Sequence, residues 1–436
     1  MKFVSIKKYC LIFLLLIIFG CTAIASAADT KNKVSRSNQR KAETYFNKGN
    51  DFIKQDKKDD AIINYTKAIE LNPDHQNAYF NRGLIYQKTG RNDEAIADFS
   101  KVIEMNPYSS DAYLSRGIIY TQKRLLDEAA SDFSKIIELN PGYTEVYFYR
   151  GIIYLSKNEL DPAIADFNKT IELNPGFADA YYRRGFAYFS KGQYDLSIMD
   201  FNKLLELDPA SDKVYFGRGI AYFGKKNYES AILDLTKAIE IDPKSVDTYL
   251  IRGQAYIGMS DFESAISDFN KALEINPKSG AAYSCLGNAH LGNQDYDSAI
   301  SDFTKALEIN PKSCEAYYGR GNAYTNKQDV EAAVSDFNKA LEINPKYSKA
   351  YIYRGDYYNQ LNRLDSAIQD YTKAIELEPN NGKIYFYRSV VYWKNKEYQK
   401  AWDDVEKAKG LGEKIDSSFL DMLTKDLEGK SVPPKS

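Results

Sequence analysis

Histidine and tryptophan occur only twice each in 436 residues, and cysteine four times. His75 and His290 are far apart in the chain, which leaves little material for a metal site or a histidine-based catalytic centre. Cys10 lies in the leading segment, and Cys285 and Cys314 stand in the body of the chain. Both are expected to be unpaired small apolar side chains rather than a disulfide. An excess of charge of either sign is missing too. The chain has 58 basic and 60 acidic residues, a formal net charge of −2 and a pI near 6.0. That balance, with no local basic run, excludes nucleic acid as the main partner. There is no phosphate-cradling glycine loop, no Gly-x-Ser-x-Gly elbow, no His-Glu-x-x-His and no metal-ligand spacing. The expectation is a protein that is not an enzyme, with no cofactor, no metal and no small-molecule substrate.

Long apolar runs are confined to the start. Lys2, Lys7 and Lys8 precede an apolar stretch from Tyr9 to Phe19, and small residues follow, ending Ala25-Ser26-Ala27-Ala28. A basic start, a short apolar core and an Ala-x-Ala site describe a secretory signal peptide over residues 1–27, cut after Ala27. Ile18-Phe19-Gly20-Cys21 also resembles a bacterial lipoprotein signal, in which Cys21 would be lipidated, although the bulky Phe19 fits that pattern poorly. Either reading places the chain outside the cytoplasm: periplasmic or secreted in the first, anchored to a membrane by lipid in the second. Residues 28–41 are polar and read as a linker.

What the chain has in abundance is order. Pro73, Pro107, Pro141, Pro175, Pro209, Pro243, Pro277, Pro311, Pro345 and Pro379 stand 34 residues apart. Each ends a phrase such as Ala68-Ile69-Glu70-Leu71-Asn72-Pro73. Proline has no amide hydrogen and disfavours helix in the residue before it, so each phrase reads as a helix stopped on cue. A period in this range is the signature of a stacked solenoid. In residues 76–109, Tyr79, Gly83 and Tyr86 share one helical face. Ala95, Phe99, Val102 and Ile103 share another, with turn-like Thr89-Gly90-Arg91-Asn92 between them. Asp93, and Asp161 in the fourth repeat, are expected to cap the second helix.

These residues resemble the tetratricopeptide repeat family of helix-turn-helix units. Tyrosine fills the large aromatic position from Tyr45 and Tyr79 to Tyr385, glycine the close-contact position from Gly49 to Gly355, and alanine the small position from Ala61 to Ala401. Ser389 and Ser197 are the exceptions. The resemblance implies an all-α fold: a right-handed superhelical solenoid of eleven helix-turn-helix units over residues 42–415. A capping helix over 416–428 would cover its apolar end, followed by a disordered tail at 429–436.

Two ladders depart from the family's usual pattern. Arginine fills the position before the usual glycine in nine repeats, from Arg82 to Arg388, and aspartate recurs in ten second helices, from Asp98 to Asp404. Paired, they would lock neighbouring helices; unpaired, the arginines would form a track for an anionic ligand. Lysine from Lys67 to Lys407, with glutamate three residues on in ten repeats, reads as a solvated face.

In this family the first helices line a concave groove, which implies three groove positions per repeat. The central one is apolar in repeats two to six (Leu84, Ile118, Ile152, Phe186, Ile220) and polar in seven to ten (Gln254, Asn288, Asn322, Asp356). Flanking it early are Phe80, Leu114, Phe148, Tyr182, Phe189, Phe216 and Phe223. An exposed apolar strip of that length calls for a partner, a protein helix or extended peptide laid in the groove. The alternatives are a lipid-anchored protein aiding assembly of an envelope complex, and self-association through the strip.

Overall fold

The computed structural model describes residues 35–430. They form twenty-three helices, numbered here in chain order, and no strand among the described residues. In nine repeats, two to four and six to eleven, the two helices pair into a hairpin. In repeat two, α3 (Gln76–Lys88) lies against α4 (Asn92–Met105). The last pair is α21 (Gly382–Lys394) with α22 (Tyr398–Gly410), followed by α23 (Ser417–Lys430). Residues up to Gln193 form one compact unit and those from Tyr194 a second. The boundary therefore falls inside repeat five, between α9 (Ala178–Ser190) and α10 (Tyr194–Leu207).

The second helices of repeats one to ten stop where the proline period says they should. Asn106, held before Pro107, leaves the helical region at φ −138°, ψ 90°, the extended conformation that proline imposes on its predecessor. Its side-chain Oδ1 then accepts the Tyr108 amide at 3.1 Å. The turn inside each hairpin was less legible. One residue per repeat, from Asp56 and Gly90 to Lys396, is left-handed, with φ between 55° and 77°. Only two of these eleven are glycine. The amide after that residue reaches back to close the first helix, as Arg91 N–H does to the Tyr86 carbonyl at 2.8 Å.

The core is built within and between hairpins. Ala95 and Phe99 of α4 are fully buried, and the Phe99 ring lies over Gly83 of α3, where an added Cβ would meet it at 3.0 Å. The same ring-over-glycine contact recurs at Phe133, Phe167, Phe269, Phe303 and Phe337. A second-helix ring, and not the first-helix tyrosine, therefore fills the space the glycine leaves.

Several boundaries and caps differ from expectation. Helix α1 spans 35–54, so residues 35–41 of the polar linker are helical: they contain no proline or glycine, and an established helix propagates cheaply. Helix α23 runs through Gly429 and Lys430, two residues of the expected tail. Asp93 and Asp161 do not cap. They sit in the first turn of α4 and of α8 (Leu160–Leu173), behind Arg91 and Glu159, and each binds a lysine of the next repeat, Lys123 and Lys191. Side-chain caps occur two positions earlier, where Asn227, Asp261, Asp295 and Asp329 accept an amide three residues on. The signal segment, the lipidation candidate Cys21 and residues 431–436 lie outside the described residues.

Helix α23 seats Phe419 and Leu423 against Ala401 and Val405 of α22. The Trp393 indole N–H donates to Asp426 Oδ2 at 2.8 Å, and its ring meets Phe419 at 5.9 Å. Trp402 belongs to the same cluster.

Candidate functional site

The first helices bury one face completely and leave the next incompletely covered. In α3, Gly83, Ile85 and Tyr86 are buried, whereas Leu84 between them is 37 % exposed. Ile118, Ile152 and Phe186 repeat that placement in the first compact unit, and Ile220 does so in the second, all half-buried. Half-burial of a large apolar side chain at one matched point of successive repeats is a surface feature, because the core is already supplied by its neighbours.

The flanking residues divide. Leu114, Tyr182, Phe189, Phe216 and Phe223 are half-buried. Phe80 is too, its ring 5.7 Å from Phe99. Phe148 is buried at 9 %, its ring 4.9 Å from Phe177 and 5.9 Å from Phe167. It is a core residue: Phe177 of the same repeat covers the side that was expected to face a partner.

At the start of the first compact unit the surface deepens into a cavity of about 600 Å³ between α1 and α3. Ile53, Leu84 and Gln87 line it, with Asn50, Tyr65 and Asn81. Asn50 Oδ1 accepts from the Tyr65 hydroxyl at 2.7 Å and from Asn81 Nδ2 at 3.1 Å. The result is an apolar recess with fixed amide groups at one side. Lys54, Lys58 and Lys88 stand at its rim beside Asp56.

The polar midline of the second compact unit is partly spent on internal bonds. Gln254 Nε2 donates to Cys285 Sγ at 3.5 Å, and Asp356 accepts from the Tyr371 hydroxyl. Burial pushes the Asp356 carboxyl above the usual aspartate range, against the pull of that hydroxyl. Asn322 is half-buried, and Asn288 is exposed. Cys285 and Cys314 are free thiols, both pushed up in pKa by burial.

The arginine ladder is closed rather than open. Arg82 Nε and Nη2 reach the two oxygens of Asp98 at 2.8 and 2.7 Å, a bidentate fork across one hairpin. Arg82 Nη1 donates to Thr66 Oγ1 of the preceding second helix at 2.9 Å, and Tyr79 and Tyr86 flank the guanidinium at 5.6 and 5.7 Å. Equivalent forks form at Arg116, Arg150, Arg218, Arg252, Arg320, Arg354 and Arg388. These guanidiniums are consumed by the scaffold, so they are not a track for anions. The third ligand escaped the sequence reading. It is Thr, Ser or Asn at one fixed second-helix position, from Thr66 and Ser100 to Thr372. The signal was there, since that position carries only a hydroxyl or an amide in repeats one to ten.

Repeat eight breaks the ladder. Leu286 stands in the arginine position and His290 where repeats two to seven and nine to eleven have tyrosine; His290 Nδ1 lies 2.7 Å from Asp302 Oδ2. Among the described residues no group of three or more His, Cys, Asp or Glu is placed to hold a metal, and no helix is long and apolar enough to cross a membrane.

Antiparallel helix pairs of constant length, stacked through small residues and an internal guanidinium ladder, define a helical repeat protein. Models of the tetratricopeptide repeat match residues 77–109, 110–143, 178–211, 212–245, 246–279, 280–313, 314–347 and 337–369, and a TPR repeat model matches 49–90, 151–190 and 355–396. The chain belongs to the tetratricopeptide repeat family. Among solved structures it is similar to yeast Tom70, with 18 % identity and a TM-score of 0.46 over 81 % of this chain and 96 % of that one. It is also similar to the APC/C hetero-tetramer Cut9–Hcn1, with 16 % identity and a TM-score of 0.47 over 87 % and 95 %. A tetratricopeptide repeat protein from Parabacteroides merdae shares 22 % identity, with a TM-score of 0.41 over 57 % and 99 %. No curated protein matches the chain.

Proposed function

We propose that this chain is a non-catalytic scaffold that binds a partner protein along its first-helix face, gripping an apolar segment in the first compact unit. The observation that carries this reading is the matched half-exposure of Leu84, Ile118, Ile152 and Phe186, with the recess at Leu84 beside them. An amphipathic helix or extended peptide would lay its apolar side on that row, and the fixed amides of Asn50 and Asn81 would bond its polar edge. The test is crosslinking in the native cell with wild type and with a Leu84→Asp/Ile118→Asp variant, both first shown to melt alike. Loss of the captured partner in the variant supports the reading; undiminished capture overturns it.

The N-terminal pattern supports export from a bacterial cytoplasm. Mass spectrometry of the mature protein distinguishes its two forms: a free Ala28 marks a cleaved periplasmic or secreted scaffold, a diacylated Cys21 a lipid-anchored one. Retention of Met1 with residues 1–27 excludes both.

A further inference from the structure

The broken rung in repeat eight has kept its acceptors. Around α15 (Gly280–Gly292), between α14 (Phe262–Ile275) and α16 (Tyr296–Ile309), lies a cleft of about 620 Å³. Leu286 and Tyr283 line it, with Asn270, Glu274, His290 and Asp302. These residues correspond one for one to a filled site in other repeats. Asp302 stands where Asp98 and Asp336 take a fork, and Asn270 where Asn202 and Asn338 accept Nη1 at 2.6 Å. Tyr283 stands where Tyr79 and Tyr317 lie against a guanidinium. The guanidinium is what is missing, because leucine is shorter than arginine and carries no charge; Lys305 also lines the cleft. Asp302 is 6 % exposed, and its Oδ1 takes no hydrogen bond from the described residues, since His290 holds Oδ2. Glu274, already paired with Lys271, adds a second carboxylate to the wall.

A second observation shows what this place attracts. In repeats two to seven, nine and ten the second-helix lysine pairs with the glutamate three residues on, as Lys271 does with Glu274 at 2.7 Å. In repeat eight Lys305 instead holds its ammonium 5.3 Å from the centre of the Tyr283 ring. Repeat one, where Lys48 replaces the arginine, draws both lysines: Lys67 lies 5.6 Å and Lys48 5.5 Å from the Tyr45 ring. Where the guanidinium is absent, the nearest cation turns toward its ring.

We infer that the repeat-eight cleft is a receptor for one guanidinium group, supplied by an arginine side chain of a partner. The incoming fork takes Asp302 Oδ1 and Asn270 Oδ1 and stacks on Tyr283, while Lys305 swings out to Glu308 as its counterparts already do. Lysine is a poor substitute because its ammonium has neither the planar fork nor the stacking face. None of the first-helix row from Leu84 to Ile220 lines the cleft, so the two are independent.

The chain's two histidines make the test direct. With histidine 13C-labelled in the full-length protein, His290 reports on Asp302 and His75 serves as the internal control. N-acetylarginine amide is expected to shift the His290 resonances saturably and leave His75 unmoved, with N-acetyllysine amide about ten-fold weaker. Leu286→Arg restores the internal fork and should abolish the response; Asp302→Asn, which keeps the shape and removes the charge, should do so too. Free arginine distinguishes a metabolite from a protein side chain: binding weaker than that of the blocked amide supports a peptide source, and tighter binding overturns the assignment to a partner's side chain. An unresponsive His290, equal shifts with the lysine probe, or an undiminished response in Asp302→Asn overturns the assignment.

Discussion

Removing one rung of the closed ladder separates a structural guanidinium from a decorative one. Arg116 forks onto Asp132 at 2.9 and 2.7 Å and donates to Ser100 at 2.8 Å. Asp132 is 3 % exposed, and burial pushes its carboxyl up while Arg116 pulls it down. Arg116→Leu leaves that carboxylate without its cation, and breaking a buried pair from one side costs about 3–5 kcal/mol. Replacing both partners by apolar residues removes the orphan, so Arg116→Leu/Asp132→Leu should cost far less than the single change, within about 1 kcal/mol of wild type. The variant should also acquire a pH dependence. Without Arg116 the folded-state pKa of Asp132 rises further above its unfolded value, so stability is greatest in acid and lost as pH rises through the folded pKa. Repeat arrays unfold in parts, so the assay is native-state hydrogen exchange read in the helices that carry Ser100, Arg116 and Asp132. Protection there should fall by about 10²–10³ at pH 7 in the single variant and recover in the double. A single variant with unchanged protection, or a double variant as exposed as the single, would refute the reasoning.

Other positions give sharper local tests. Gly253→Ala drives a Cβ to 2.5 Å from the Phe269 ring and should cost about 1–3 kcal/mol by chemical denaturation, whereas Gly410→Ala meets nothing within 4 Å and should be neutral or mildly stabilising. Arg124, at φ 59° in an exposed turn, should become more stable as glycine, by up to about 1 kcal/mol in the same measurement. Asp356→Asn removes a carboxyl whose pKa burial has raised: wild type should lose stability between pH 4 and pH 7 relative to the variant, and parallel melting curves at both pH values would exclude this. Both tryptophans lie in the last repeat, so Asp426→Ala, which frees the Trp393 indole N–H, should red-shift emission without moving the melting of the distant repeats.

The scaffold was legible because its causes are local and repeated. Asn106-Pro107 stops a helix by sterics that involve two residues, and a 34-residue period multiplies that signal ten times over. The ring-over-glycine contact was half legible. Gly83 announced a close approach, but the residue approaching is Phe99, sixteen positions on, and helical periodicity within one helix does not say which neighbour arrives. The left-handed turn was invisible for a similar reason. Arg124, Lys226 and Gln328 adopt it because the hairpin geometry over-determines it, not because their side chains favour it. Phe148 shows the limit on the site side. It shares its helical position with Leu114 and Tyr182, and it is buried only because Phe177 comes to lie on it. That is a contact between residues 29 apart, set by packing rather than by pattern.

Exact repetition makes deviation informative, and the two kinds of deviation in this chain differ physically. At the first-helix midline the residue type drifts, from Leu84 and Ile118 to Asn288 and Asn322, while the backbone and core stay constant. Drift of that kind changes what a surface prefers without altering the scaffold. Repeat eight is different, because Leu286 and His290 change together within one rung. Losing the arginine alone would strand Asp302, a cost of several kcal/mol by the argument applied to Asp132. The histidine four residues on answers one oxygen of a carboxylate that lines the cleft and leaves the other without a hydrogen bond from the described residues. A rung kept only for stability would have retained the fork that eight other repeats show. Half-satisfying a buried carboxylate beside an open volume is what a scaffold does when the second half of the bond is to come from elsewhere.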